Sequence, residues 1–76
     1  MKEYNIVGKN SFTSKSGKTC RLIYTTFEVE PFGNMQGKMT KEFFLNDKLF
    51  AQCDVGDIVH LLFNDKGFVE SVEVIG

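Results

Sequence analysis

Residues Ser11–Arg21 read SFTSKSGKTCR, and two incompatible folds compete for them. The end of the stretch matches a phosphate-binding P-loop, G-x-x-x-x-G-K-[ST], which lies between a strand and a helix. Gly17, Lys18 and Thr19 supply its last three positions, but Phe12 stands where the first glycine belongs. The following residues, TCRLIYTTFEVE, are rich in β-branched and aromatic side chains that favour a pleated strand over a helix. A chain of 76 residues is also too short for the doubly wound sheet that a P-loop serves. Gly17 therefore has a simpler role: it gives the positive φ of a hairpin turn. The stretch is the tip of a β-hairpin, and the fold is built from strands.

Working outward, EYNIVGKNSFT before the turn alternates with Tyr4, Ile6, Gly8, Asn10 and Phe12 on one side, and Gly8 marks a bulge or bend. PFGNMQG breaks the second strand with Pro31, Gly33 and Gly37 and reads as a loop. KMTKEFFLN is a third strand, with Met39, Lys41, Phe43 and Leu45 opposite Thr40, Glu42 and Phe44. In NDKLFAQCDVGD, Asn46 or Asp47 caps a helix of one or two turns that ends by Gly56. DIVHLLFNDKGFVESVEVI is two apolar runs around NDKG, a hairpin whose first strand sets Val59, Leu61 and Phe63 on one face. The order is β-β-β-α-β-β in a single domain spanning 1–76. It is the order of a five-stranded OB-like barrel, mainly β, with a short helix between strands 3 and 4. An SH3-like barrel is the alternative, although a 3₁₀ turn there more often stands where this chain has a helix.

A domain this small needs a very regular core, a metal, disulfides or a partner subunit. Cys20 and Cys53 form no CxxC or Cys/His cluster, so neither metal nor cofactor is expected, and two free thiols suit a reducing cytoplasm. MKEYNIVGKN lacks the apolar core of a signal peptide, and no apolar run reaches membrane-spanning length. The lone His60 lies in an apolar strand with no Ser, Cys or carboxylate placed beside it by any motif. The expectation is a binding protein, not an enzyme.

Net charge is -1, but the charges are segregated. No acid occurs between Glu3 and Glu28, where Lys9, Lys15, Lys18 and Arg21 all fall, and such local potential steers polyanions. Eight phenylalanines are many for so small a core, so some rings are expected on a contact surface. Proteins that hold single strands combine cations along the backbone with rings under the bases. Lys15 and Lys18 flank the hairpin tip, Phe12 precedes it, and Lys9 and Arg21 lie along its strands. Of Tyr24 and Phe27, strict alternation puts Phe27 on the face of Arg21. Phe32 and Met35 lie beside Lys38 in a Gly-rich loop, facing either nucleic acid or another chain.

The arm SFTSKSGK, the long strand after it, the loop PFGN and the ending VGDIVHLLFNDKGFVESVEVI resemble small single-stranded-DNA-binding proteins of phages and mobile elements. The filamentous-phage helix-destabilising proteins are the nearest type. That resemblance implies an OB-like barrel which dimerises and coats single strands, DNA favoured over RNA, with little sequence preference. It implies a binding set of Lys15, Lys18, Arg21 and the neighbouring rings. The alternative is a small protein-interaction module that uses its exposed Phe residues.

Overall fold

The computed structural model describes residues 2–28 and 37–76. Strand β1 (Tyr4–Thr13) turns into β2 (Thr19–Glu28), β3 (Lys38–Phe44) leads into helix α1 (Asp47–Ala51), and β4 (Ile58–Phe63) turns into β5 (Val69–Val74). The two hairpins share one turn design. In the first, Gly17 N–H donates to Ser14 O at 2.9 Å and Ser14 N–H to Lys18 O at 2.8 Å. In the second, Gly67 N–H donates to Asn64 O at 3.0 Å and Asn64 N–H to Phe68 O at 2.8 Å. Each depends on a glycine at φ 85°, where a Cβ would be strained. Gly17 is thus a turn residue in a strand–turn–strand unit, and the P-loop reading is excluded by geometry.

The strands form one antiparallel sheet in the order β3-β2-β1-β4-β5. It is strongly curled. In a flat sheet β3 and β4 would lie about 14 Å apart, three strand spacings. Instead the rings of Phe43 on β3 and Phe63 on β4 meet at 5.6 Å, and Tyr4 on β1 packs edge-on against Phe43 at 5.2 Å and Phe27 at 5.3 Å. The curl wraps the sheet around one core of Tyr4, Ile6, Ile23, Phe27, Phe43, Val59 and Leu61, sealed by Leu45, Leu49 and Cys53 around the helix. Among the described residues β3 and β5 share no hydrogen bonds, so the sheet is open where a closed barrel was expected.

The helix starts where local chemistry predicts. Asn46 Oδ1 accepts from Leu49 N–H at 2.8 Å and satisfies a donor the first turn leaves free. Thr25, the buried polar side chain of the core, donates from its hydroxyl to Lys41 O at 2.8 Å on the neighbouring strand.

β1 departs from the sequence expectation. Ile6 lies opposite Thr25 and Gly8 opposite Tyr24, so Val7 is an extra residue and the pairing shifts. The strand therefore changes face within itself. Tyr4 and Ile6 point into the core, whereas Gly8, Asn10 and Phe12 point outward and Lys9 turns in. The irregularity expected at Gly8 is present, but the single face expected from Tyr4 to Phe12 is broken by it. A second irregularity, between Leu62 and Phe63, leaves Phe63 at the core's rim while Val59 and Leu61 are buried.

Burial pushes the Cys53 thiol above its ordinary 9.0 and the Tyr4 hydroxyl above 10.0; for Cys53 the nearby Lys9 opposes that rise and Asp57 and Asp54 add to it. Both groups keep their protons in the folded chain after the unfolded chain has begun to lose them. Their contribution is complete below the unfolded values and is lost as pH climbs through the folded ones. The melting temperature should therefore fall between about pH 8 and about pH 11, and Cys53→Val should flatten part of that slope in thermal unfolding. A melting temperature constant across the range would contradict this account of the core.

Candidate nucleic-acid interface

β1 pairs with β4 only at Tyr4 and Asn5, and β2 pairs with β3 only from Leu22 onward. Among the described residues, the ribbon from Ser11 to Cys20 has no further strand beside it and forms a two-stranded arm. Lys15 and Lys18 are exposed at its turn, where the hydroxyls of Ser14 and Ser16 meet at 2.9 Å. Phe12 lies opposite Cys20, and both side chains share the outer face, since directly opposed residues in an antiparallel pair point the same way.

That outer face continues across the sheet through Asn10, Leu22 and Phe44, then Gly8, Tyr24 and Glu42, then Thr26 and Thr40. Leu22 is only 3% exposed although it lies outside the core cluster. Asn10 donates to the Tyr24 hydroxyl at 3.3 Å. Gly8 makes room for the Tyr24 ring: a Cβ there would come within 3.1 Å of its Cδ2. Phe44, 62% exposed, is the most open ring on this face.

Two grooves meet at Phe44. One, of about 240 Å³, runs along the root of the arm between Lys18, Cys20, Arg21 and Phe44. The other, of about 400 Å³, occupies the open seam between β3 and the second hairpin, lined by Tyr4, Lys41, Phe43, Phe44, Phe63 and Phe68. Tyr24, Val7 and Glu42 border a further depression of about 510 Å³ in the middle of the face.

No family model matches this chain, and no curated protein or solved structure matches it. The residues themselves must carry the reading.

Phe12, Lys15, Lys18 and Tyr24 share the arm and its outer face. Arg21 lies at the arm's root, and its guanidinium pairs with the carboxylate of Asp47 in the first turn of α1. Phe27 does share an inward phase with Arg21, as alternation required, but that phase is the core: Phe27 is 7% exposed and Lys2 lies over its ring at 4.4 Å. The outward ring of β2 is therefore Tyr24. Lys9 is turned under the sheet by the bulge. Its ammonium donates to Phe50 O at 3.0 Å and to Cys53 O, and lies 4.2 Å over the Phe50 ring. It ties β1 to the end of the helix. Lys38 lies opposite Glu28, at the far end of β2, with 3.9 Å between ammonium and carboxylate. The length of β2, about 30 Å at the usual strand rise, separates it from the arm's turn. Phe32 and Met35 lie outside the described residues.

Sequence reasoning missed Phe44, Phe68 and the Arg21–Asp47 pair. Phe44 carried a signal, as a ring on the otherwise polar face of Thr40 and Glu42. Phe68 carried one too, since it occupies in NDKGF the position that Lys18 occupies in SKSGK. The ion pair joins residues far apart in sequence and left no trace there.

The position of Lys9 yields a stability prediction. Lys9→Met keeps an apolar stem but removes donors to two carbonyls at the helix end. It should cost about 1–3 kcal/mol in urea unfolding, and any affinity the native chain has for a single-stranded oligonucleotide should be unchanged. An affinity loss with stability intact would return Lys9 to the binding set.

Proposed function

We propose that this chain binds single-stranded nucleic acid, with DNA favoured, along the outer face between its two hairpins and without catalysing a reaction. The carrying observation is the convergence at Phe44: an exposed ring joins a groove flanked by Lys18 and Arg21 to a groove lined by further rings with Lys41 and Glu42. Cations beside a backbone path and rings beneath it are what sequence-tolerant single-strand binding uses. The strand order, the strong curl and the helix between β3 and β4 support an OB-like arrangement, in which ligands lie between the first and last hairpins. The resemblance of the arm and the C-terminal run to helix-destabilising proteins of phages and mobile elements points the same way. On this reading Lys15 and Lys18 contact phosphates, Arg21 reaches them from the arm's root, and Phe12 and Tyr24 offer faces for bases. Glu42, in the middle of the face, directs the strand toward the arm half.

Affinity for a single-stranded oligonucleotide should fall steeply with salt, with a log–log slope of about −0.7 per phosphate neutralised. Lys15→Glu combined with Lys18→Glu should weaken binding at least about tenfold at low salt and flatten that slope. An unchanged slope in the double variant removes the arm from the interface; a native chain that binds nothing at low salt removes the function.

A second reading, association between copies, is supported by the seam. Phe68 is 66% exposed and Phe63 41%, beside two sheet edges that have no partner strand among the described residues. We propose that a homodimer forms over this surface, which would also help a core near the lower size limit. Phe68→Ser should then lower the mass seen in light scattering at equal concentration. A monomeric native chain at high concentration would dismiss the dimer and leave single-strand binding standing.

A further inference from the structure

The groove at the root of the arm has features that the rest of the outer face lacks. β2 continues past the end of β3 there, so Thr19 and Cys20, paired with β1 on one side, have no partner strand on the other among the described residues. Phe44 closes one side, Lys18 stands at the arm end, and Leu45 N–H donates to Arg21 O at 2.9 Å, fixing the floor. The Arg21 side chain is 29% exposed and already engaged by Asp47, whose own side chain is 79% exposed. A guanidinium–carboxylate pair in that setting is held weakly, because water and salt screen it. The guanidinium fork also suits a phosphate as well as it suits a carboxylate.

We propose that this groove is a subsite for one nucleotide of a single strand. Its base lies on Phe44, and its phosphate takes Arg21 from Asp47 while Lys18 holds the next phosphate toward the arm. Asp47 is then an internal stand-in for phosphate. It holds Arg21 in the free protein and sets a threshold that weak anions do not cross. The inference rests on the single-strand reading above and adds to it a named platform, a named exchange of partners and a competitor within the chain. The site takes a nucleotide within a chain in preference to a free nucleoside phosphate, since Lys18 and Arg21 both line the groove and address successive phosphates.

The test is a double-mutant cycle read by fluorescence anisotropy of a labelled oligothymidylate at low salt, with melting curves confirming that every variant is folded. Phe44→Ala should weaken binding about tenfold, the loss of one stacked base. Asp47→Asn should strengthen it about threefold in the native background and not at all in the background of Arg21→Gln, because the gain requires Arg21 to be released. A gain that persists with Arg21→Gln would show only the general effect of removing a negative charge, and would overturn the exchange. Cys20 gives an independent readout. It lines the groove, while Cys53 is fully buried, so a thiol reagent such as iodoacetamide reports on Cys20 alone. Bound oligothymidylate should slow that alkylation severalfold. Oligothymidylate binding with Cys20 unprotected and Phe44→Ala neutral overturns the subsite but leaves the function; a native chain that binds no oligothymidylate overturns both.

Discussion

The extra residue at Val7 governs the molecule. Without it, one strand phase would run from Tyr4 to Phe12, and every even residue of β1 would share the core face. The bulge inverts the phase halfway along. The first half of β1 then supplies Tyr4 and Ile6 to the core, and the second half offers Asn10 and Phe12 to the outside. The same inversion sends Lys9 inward, where its ammonium meets the carbonyls of Phe50 and Cys53. One local irregularity thus builds the core at one end of the strand, clears the outer face at the other, and fastens the helix beneath the sheet. Gly8 next to it completes the device, because its missing side chain lets Tyr24 lie across β1.

From that constraint follows a division between two otherwise equivalent hairpins. Both turns place a glycine at φ 85° and close with the same pair of backbone hydrogen bonds. What differs is the side chain that follows the glycine: Lys18 in the arm, Phe68 in the second hairpin. The arm's turn is wholly basic or neutral. The second turn is braced by Asn64, whose Oδ1 accepts from Lys66 and Phe68 N–H, and carries its ring against the open seam. One frame is used for charge and the other for apolar contact, and Phe44 lies where their territories meet.

Local signals were legible in the sequence and long-range ones were not. The order of elements, the two glycine turns and the Asn46 cap could be read because each is decided within a few residues. Tyr24 and Phe27 are both legible as candidate rings of opposite phase, but the preference for Phe27 fails, because which phase is the core depends on how β2 pairs with both neighbours. Lys9 was placed with the basic arm because an inserted residue shifts every later side chain, and a loosely alternating strand hides the insertion. Closure of the barrel depends on contact between β3 and β5, elements that no local pattern connects, and the sheet stays open there. Phe44 was overlooked because a ring among alternating polar residues looks like noise until the strand's neighbours show that the position is open.

A net charge of -1 is a poor guide to what a polyanion would meet on this surface. The molecule is elongated, 43 Å by 27 Å by 27 Å, and the arm has no flanking strands among the described residues. Its turn lies three residues or more beyond Arg21, about 10 Å at the strand rise. Fields from exposed charges are screened over about 8 Å at physiological ionic strength. Asp47 is therefore close enough to hold Arg21 but not to neutralise Lys15 and Lys18, and no acid stands on the arm itself. On the proposed reading, the basic tip would steer approach at a distance, and the compensated root would act at contact, where a phosphate must offer more than the carboxylate already in place.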